Sequence, residues 1–346
     1  MTDETPDALR YEPEGAGRRR VHRTGAWAAA LLLAGVSVVA GCRAADSDGI
    51  TPVPQLLAFL PWLTVPTVAA LLLALLSRWR TGMLWSVVAL GALAWYMEPY
   101  GTDSEAQGPP VSGMRVLSSN VEFGRGTDAL IDAIARHEPD IVFAEECDSA
   151  CQDALGRSSL EAAYPYRQAV RADGSEGSLI LSTFPLKAAP TVPGTMGMPG
   201  ATADVRGHSV RLQLAHPMPP LPRQVGLWHR ELGRLRDFAA ADPGAATILA
   251  GDFNATQDHA AFRHILDAGA LRDAARLTGH ARTPSWPSAA PPPLGTQIDH
   301  VLVSGEFSAD KTRFLKLRDT DHRALLVDLT LHTSRPGSSR SSPSGD

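Results

Sequence analysis

The sequence is short of three things, and each shortage narrows what it encodes. Three cysteines in 346 residues are too few for a disulfide-stapled scaffold. There is no excess of positive charge: 32 Lys and Arg stand against 37 Asp and Glu, a formal net charge of -5. A mildly acidic surface is a poor partner for phosphate-rich polyanions, so nothing here favours nucleic acid. No internal repeat is present, which excludes a repeat array. Cys147 and Cys151 are followed by no Cys/His pair at finger-like spacing, which argues against zinc. These two cysteines lie four apart just after a predicted strand. On a helix they would meet, and outside the cytoplasm they could oxidise; two unpaired structural thiols are an equal reading.

What is abundant is unevenly placed. Residues 1–23 are polar and end in Arg18-Arg19-Arg20 and Arg23, a predicted cytoplasmic tail, and Ala26 to Ala40 is then almost unbroken apolar sequence. Further apolar runs extend from Val53 to Leu76 and from Met83 to Tyr96, where Trp85, Trp95 and Tyr96 are placed like interfacial aromatics. About 20 helical residues cross a ~30 Å hydrocarbon core, so the second run suffices and the others need their flanks. The expectation for residues 24–100 is a membrane anchor of three transmembrane helices. The basic N-terminal flank and the Arg78-Trp79-Arg80 loop both read as cytoplasmic, whereas Ala45-Asp46-Ser47-Asp48 is acidic, which leaves residue 101 onward outside. Val39-Ala40-Gly41-Cys42 also resembles a bacterial lipoprotein box, in which the first span is a cleaved signal; the long polar N-terminus favours a retained anchor. Either version tethers the remainder of the chain outside the cytoplasmic membrane.

Residues 101–113 form a Gly/Pro/Ser/acidic linker, 114–332 one α/β domain, and 333–346 a Ser/Pro/Gly-rich tail expected to be disordered. Strands are predicted at Met114 to Ser118, Ile141 to Ala144, Ser178 to Leu181, Val210 to Ala215, Ile298 to Val303 and Ala324 to Leu329. Thr127 is a candidate helix cap ahead of Leu130, Ile131 and Ile134, and Val225, Trp228, Leu232 and Leu235 make a second helical stripe. A Pro-rich loop, Thr283 to Pro293, is expected to border the site; its Trp286 reads first as a surface aromatic, with substrate contact the alternative.

The chemistry gathers where strands end. The apolar run Ala245-Ala246-Thr247-Ile248-Leu249 delivers Gly251-Asp252-Phe253-Asn254, a carboxylate and a carboxamide two residues apart and hence on one side. Similar ends occur at Ser118-Ser119-Asn120, Glu145-Glu146, Leu214-Ala215-His216-Pro217, Gln297-Ile298-Asp299-His300 and Asp321-His322. Singly each has an ordinary reading as a turn or cap; in this order they form a pattern.

That ordered set resembles the endonuclease/exonuclease/phosphatase superfamily over roughly residues 114–330. Apolar spans followed by an external domain further resemble the VanJ-type membrane proteins of actinomycetes. The resemblance implies two mixed β-sheets packed face to face with outer helices, a four-layer α/β sandwich after the helical anchor. It implies a metal-dependent phosphoric ester or anhydride hydrolase using magnesium, or manganese in its place. By the resemblance Glu146 is the metal glutamate, with Glu145 on the opposite face, and Asp321 adds a metal contact. Asn120 places the metal or the phosphate, and His322 contacts the phosphate and is oriented by Asp299. Asp252 positions or deprotonates the attacking water, Asn254 donates to phosphoryl oxygens, and His216 assists the leaving group. The tyrosine that some nucleases place near the phosphate has only Tyr164 and Tyr166 as candidates by position. The implied substrate is a lipid-linked phosphate or polyprenyl pyrophosphate of the cytoplasmic membrane. A sphingomyelinase- or phospholipase-like phosphodiesterase and an extracellular nuclease are the alternatives, and an inactive membrane scaffold is the reading of another class.

Overall fold

The computed structural model describes residues 14–102, 106, 108–157 and 160–333. The first thirteen residues of the expected N-terminal tail, part of the linker and the expected disordered tail from 334 onward lie outside the described residues. The chain divides into two compact units, Met1–Ala45 with Leu60–Glu98, and Asp46–Phe59 with Pro99–Asp346.

The first unit is helical. It holds α1 (Glu14–Ala44), and, beyond the short α2 (Val53–Ala58) of the other unit, a 3-10 turn Leu60–Leu63, α3 (Thr64–Leu76) and α4 (Arg80–Met97). Ala29, Ala70, Ala74 and Ala89 meet around Leu33, small side chains that let helix backbones approach closely. Within α1, Arg23–Ala44 spans 22 residues at mean hydropathy 1.9, long and apolar enough to cross a membrane, and it is the one such helix among the described residues. The expected second span does not run unbroken from Val53. The break falls at Phe59 and the 3-10 turn that contains Pro61, a residue lacking the N–H that continues a helix, and Val53–Ala58 folds with the second unit.

The second unit contains two mixed six-stranded sheets. The first is built from β1 (Pro110–Asn120), β2 (Ile141–Glu145), β3 (Tyr166–Val170) and β4 (Ser178–Ser182), together with β11 (Phe307–Lys316) and β12 (Arg323–His332). The second is built from β5 (Leu186–Ala189), β6 (Gly200–Val205), β7 (His208–Ala215), β8 (Thr247–Asp252), β9 (Arg272–Asp273) and β10 (Asp299–Val303). Each sheet has one parallel pair, β1 with β2 and β7 with β8, and every other pairing is antiparallel.

Strand alternation explains the layering. Met114, Val116, Ile141, Phe143, Ile248, Ala250, Val301 and Val303 point between the sheets into one apolar core. The intervening residues Leu117, Val142 and Ala144 meet α5 (Thr127–His137) and α6 (Ser149–Arg157), while Leu249 and Leu302 meet α8 (Val225–Ala241) and α9 (Ala260–Gly269). Two small helices, α7 (Leu160–Ala163) and α10 (Ala274–Leu277), complete the chain. Strands buried on both faces read as continuous apolar runs, which is why these were visible in sequence. Thr127 does not cap α5: the N-cap is Gly126, and the Thr127 hydroxyl donates back to the Gly124 carbonyl at 2.5 Å. Cys147 and Cys151 are joined as a disulfide at the start of α6.

Candidate active site

The two parallel pairs end at one edge of the sandwich, and the antiparallel β10 begins there. Continuing the inward parity of Val116, Phe143, Leu214, Ala250 and Val301 to that edge gives Asn120, Glu145, His216, Asp252 and Asp299. Asp252 lies directly across from Asp299 in the β8–β10 register, and Asn120 across from Glu145 in β1–β2. Gly251 is required at its position: a Cβ there would meet the Ala215 carbonyl oxygen at 2.1 Å, and its φ is +146°.

Side-chain contacts draw the expected residues together. Asn120 Nδ2 donates to Glu146 Oε1 at 3.0 Å and to Asp252 Oδ2 at 3.3 Å. His322 Nδ1 lies 2.9 Å from Asp299 Oδ2, and its Nε2 faces Asp252 at 3.7 Å and Asp321 at 3.8 Å. His216 Nε2 is 3.8 Å from Glu146 Oε1. The Asn254 backbone N–H donates to Asp252 Oδ1 at 2.8 Å, while its Nδ2 donates to the Pro217 carbonyl at 3.0 Å, so one of its amide hydrogens already serves the protein. Glu122, Phe123, Glu146 and Asn254 all have positive φ, a concentration of costly backbone in the turns that carry the site.

Glu145 departs from the expected arrangement. It was expected to face away from Glu146, yet it is wholly buried beneath the cluster, accepting from the Ser118 hydroxyl at 3.2 Å. Glu146 reaches the site because the chain leaves the strand there with φ +54°, so the two-residue alternation no longer applies. Burial, followed by the nearby Asp299 and Asp252 charges, pushes the Glu145 carboxyl well above its usual range. Trp286 is a second unexpected participant: its indole N–H donates to Asp321 Oδ2 at 2.8 Å. Neither tyrosine candidate joins the cluster. The Tyr164 hydroxyl donates to the Pro139 carbonyl, and Tyr166 lies on the edge strand β3.

The electrostatics suit proton transfer. Burial raises the Asp252 carboxyl to about 7, with Asp299 adding to the rise and His322 opposing it. Burial alone would lower His322, but Asp299 and Asp252 hold its imidazolium up to about 10. Burial, then the neighbouring His322 charge, lowers His216 to about 3, which keeps that ring neutral. Ligand atoms of Asp252, Asp299 and His322 lie within 4.8 Å of one another, a buried group that can bind a divalent metal. Asp252, Asp299 and Asp321 converge on the His322 imidazolium while Glu146 faces the neutral His216, and no lysine or arginine forms an ion pair with these four carboxylates among the described residues. An excess of carboxylate at a largely buried site fits a hard cation.

Comparison with known proteins places the fold. The chain is similar to TDP2 from D. rerio in a form humanized by 14 mutations, at 17% identity and a TM-score of 0.50, covering 63% of this chain and 99% of that one. A D. rerio TDP2 complexed with a single strand DNA product matches with the same values. Sphingomyelinase C from Streptomyces griseocarneus aligns at 16% identity and a TM-score of 0.46, over 63% of this chain and 99% of that one. No curated protein matches. The family model described as endonuclease/exonuclease/phosphatase family matches residues 117–322, over half of the 346 residues, and the chain belongs to that family.

Proposed function

We propose that the protein is a membrane-anchored, extracytoplasmic, magnesium-dependent phosphohydrolase acting on a lipid-linked phosphate or pyrophosphate. The observation that carries this reading is the meeting of Asn120, Glu146, His216, Asp252, Asp299 and His322 at one edge of the paired sheets. Asp252, poised near neutrality and fixed by the Asn254 N–H, takes the proton of the attacking water. His322, held as a cation by Asp299, offers Nε2–H to the phosphoryl oxygens. Neutral His216 donates to the departing oxygen, and Asn120 orients the phosphate between Glu146 and Asp252. Glu146 and Asp321 would hold the metal, and the Asp252–Asp299–His322 group would be a second set only where the cation displaces the His322 proton; when bound, the cation neutralises charge on the transferring phosphoryl group.

Location supports a lipid substrate. Helix α1 can cross a membrane. Residues 46–59 pack with 99–346 as one unit, so both lie on the same side, and any crossings between them are even in number. Arg78 and Arg80 in the intervening turn support a cytoplasmic position for it, and the Cys147–Cys151 disulfide suits an oxidising exterior. A linker of about a dozen residues spans at most ~45 Å, which keeps the site near the headgroups. On the VanJ-like reading the substrate is a polyprenyl pyrophosphate carrier of cell-wall synthesis, and turnover raises glycopeptide tolerance.

The test presents the full chain in detergent with magnesium to a polyprenyl pyrophosphate, a phosphodiester lipid and plasmid DNA in parallel, with Asp252→Ala as control. Phosphate release from the first alone, lost by at least about a thousandfold in the variant, is expected. Cleavage of the diester or of DNA instead would reassign the substrate, and no turnover of any would favour a scaffold.

A further inference from the structure

The segment between α1 and the next apolar helix is part of the catalytic unit, and its contacts run to the catalytic aspartate. Helix α9 has no side-chain cap of its own, since its N-cap residue, His259, makes no capping bond. The cap comes from 212 residues earlier: Asp48 Oδ1 accepts from the Ala260 N–H at 2.6 Å, and Asp48 Oδ2 accepts from Ala261 at 3.1 Å. Asp48 is 3% exposed and also meets His229 Nε2 at 3.1 Å. Asp46 pairs with Arg263 and His264 of α9, and the Ala58 carbonyl accepts from the Thr296 hydroxyl at 2.6 Å.

His259 makes a second bridge. Its Nδ1 accepts from the Thr256 N–H at 2.9 Å, which leaves the proton on Nε2 for donation to the Pro54 carbonyl at 2.8 Å. His229 and His259, each held by the segment, both pack on Trp228, with ring centroids 4.8 and 5.0 Å away. The Trp228 indole donates to the Asn254 carbonyl at 3.2 Å, and the Asn254 N–H donates to Asp252. A continuous set of contacts therefore leads from Asp48 and Pro54, through two histidines and one tryptophan, to the carboxylate at the centre of the site.

We propose that residues 46–59 form a strap that sets the conformation of the Asp252–His259 turn, with Asp48 as a positioning residue for Asp252. A carboxylate at a helix N-terminus satisfies backbone donors and opposes the helix dipole, and no residue of α9 or the turn before it replaces it there. The strap enters and leaves through apolar helices, so the anchor supplies a piece of the site's support as well as attachment.

The experiment is hydrogen exchange of the full chain in detergent, following peptides over residues 252–266 and, for reference, 114–120. Asp48→Ala should speed exchange in 252–266 by on the order of tenfold with the reference peptide unchanged. Asp48→Asn keeps a capping oxygen but loses the charge, and should speed it only about two- to threefold. Ser209→Ala, at an exposed position of β7 outside the strap, is the silent control. On polyprenyl pyrophosphate, kcat should fall about tenfold for Asp48→Ala with KM little changed, and recover largely in Asp48→Asn. The kinetic half rests on the hydrolase reading and the exchange half does not. A wild-type chain that turns over nothing sinks the former, while unchanged exchange of 252–266 in Asp48→Ala overturns the strap. If the alanine variant does not fold, unchanged exchange in Asp48→Asn overturns it instead.

Discussion

Asp299 and His300 are neighbours in β10, and each belongs to a buried Asp–His pair, one on either face of the sheet. On the outer face, His300 Nδ1 sits 2.7 Å from Asp273 Oδ2, and its Nε2 is 3.0 Å from the Ala255 carbonyl. Asp273 also receives the Ala275 N–H, so both members of that pair are consumed by the protein. On the inner face, His322 Nδ1 is bound to Asp299 at a similar 2.9 Å, but its Nε2 has no hydrogen-bond partner among the described residues and looks toward Asp252 and Asp321. The same chemical pair is a structural brace in one place and, on the proposed mechanism, a reagent in the other. What separates them is whether the second ring nitrogen is already committed.

The largest expected effects test that separation directly. Asp299→Asn should leave the melting temperature nearly unchanged and cut turnover by about 10²–10⁴, because the amide no longer fixes the protonated imidazole. Asp273→Asn should do the reverse, lowering stability by about 1–3 kcal/mol while activity per folded molecule stays within about threefold. Equal losses of turnover in the two variants would erase the distinction. Denaturant curves alongside initial rates give both numbers from one preparation.

The histidines also differ in how they answer to pH, which sharpens the contrast. His216, lowered to about 3, is neutral in the fold, and His259, whose Nδ1 accepts from the Thr256 N–H, is also shifted down by burial, whereas an unfolded imidazole titrates near ~6.5. Below about 6.5 the unfolded chain binds more protons than the fold at both rings, so both contributions are complete above about 6.5 and are lost as pH falls, that of His216 as pH approaches 3. His322, raised to about 10, has the opposite sign: its contribution is complete below about 6.5 and is lost as pH rises toward 10. Melting temperature measured in chelator should therefore decline on both sides of a maximum. His216→Gln should flatten the acid limb and His322→Gln the alkaline one; an acid limb untouched by His216→Gln would mean the ring is not buried neutral.

How much of this could be read from the chain follows the same division between local and distant causes. Asn120, Asp252 and Asp299 end apolar runs, so periodicity marked both the strands and the residues at their edge. Glu145 was misplaced because alternation was carried one residue too far, past the point where Glu146 turns to positive φ. The strap had no signal at all. Its residues sit within or beside an apolar run that reads as membrane, and Asp48 caps a helix 212 residues away, a contact only tertiary structure creates. Trp286 is half legible: the Pro-rich loop is expected to border the site, but nothing in it announces that the indole meets Asp321.

That last contact sets the smallest effect. Asp321 has a 43% exposed side chain beside a nearly buried His322, so it is the least constrained carboxylate of the cluster. Its Oδ2 is fixed by the Trp286 N–H, while its backbone N–H donates to Glu122 Oε2 at 2.9 Å. Trp286→Phe keeps an aromatic ring and removes one donor, which frees the carboxylate to rotate without removing its charge. Because a partly solvated hydrogen bond to a charged group contributes little net, kcat/KM should fall only about two- to tenfold. If Asp321 helps hold the cation, the magnesium concentration giving half-maximal rate should rise with it. Asp321→Asn should exceed Trp286→Phe on both measures. Should Asp321→Asn be strongly defective and Trp286→Phe silent, the indole is only a neighbour, and Asp321 is held by the backbone of the 320–322 turn.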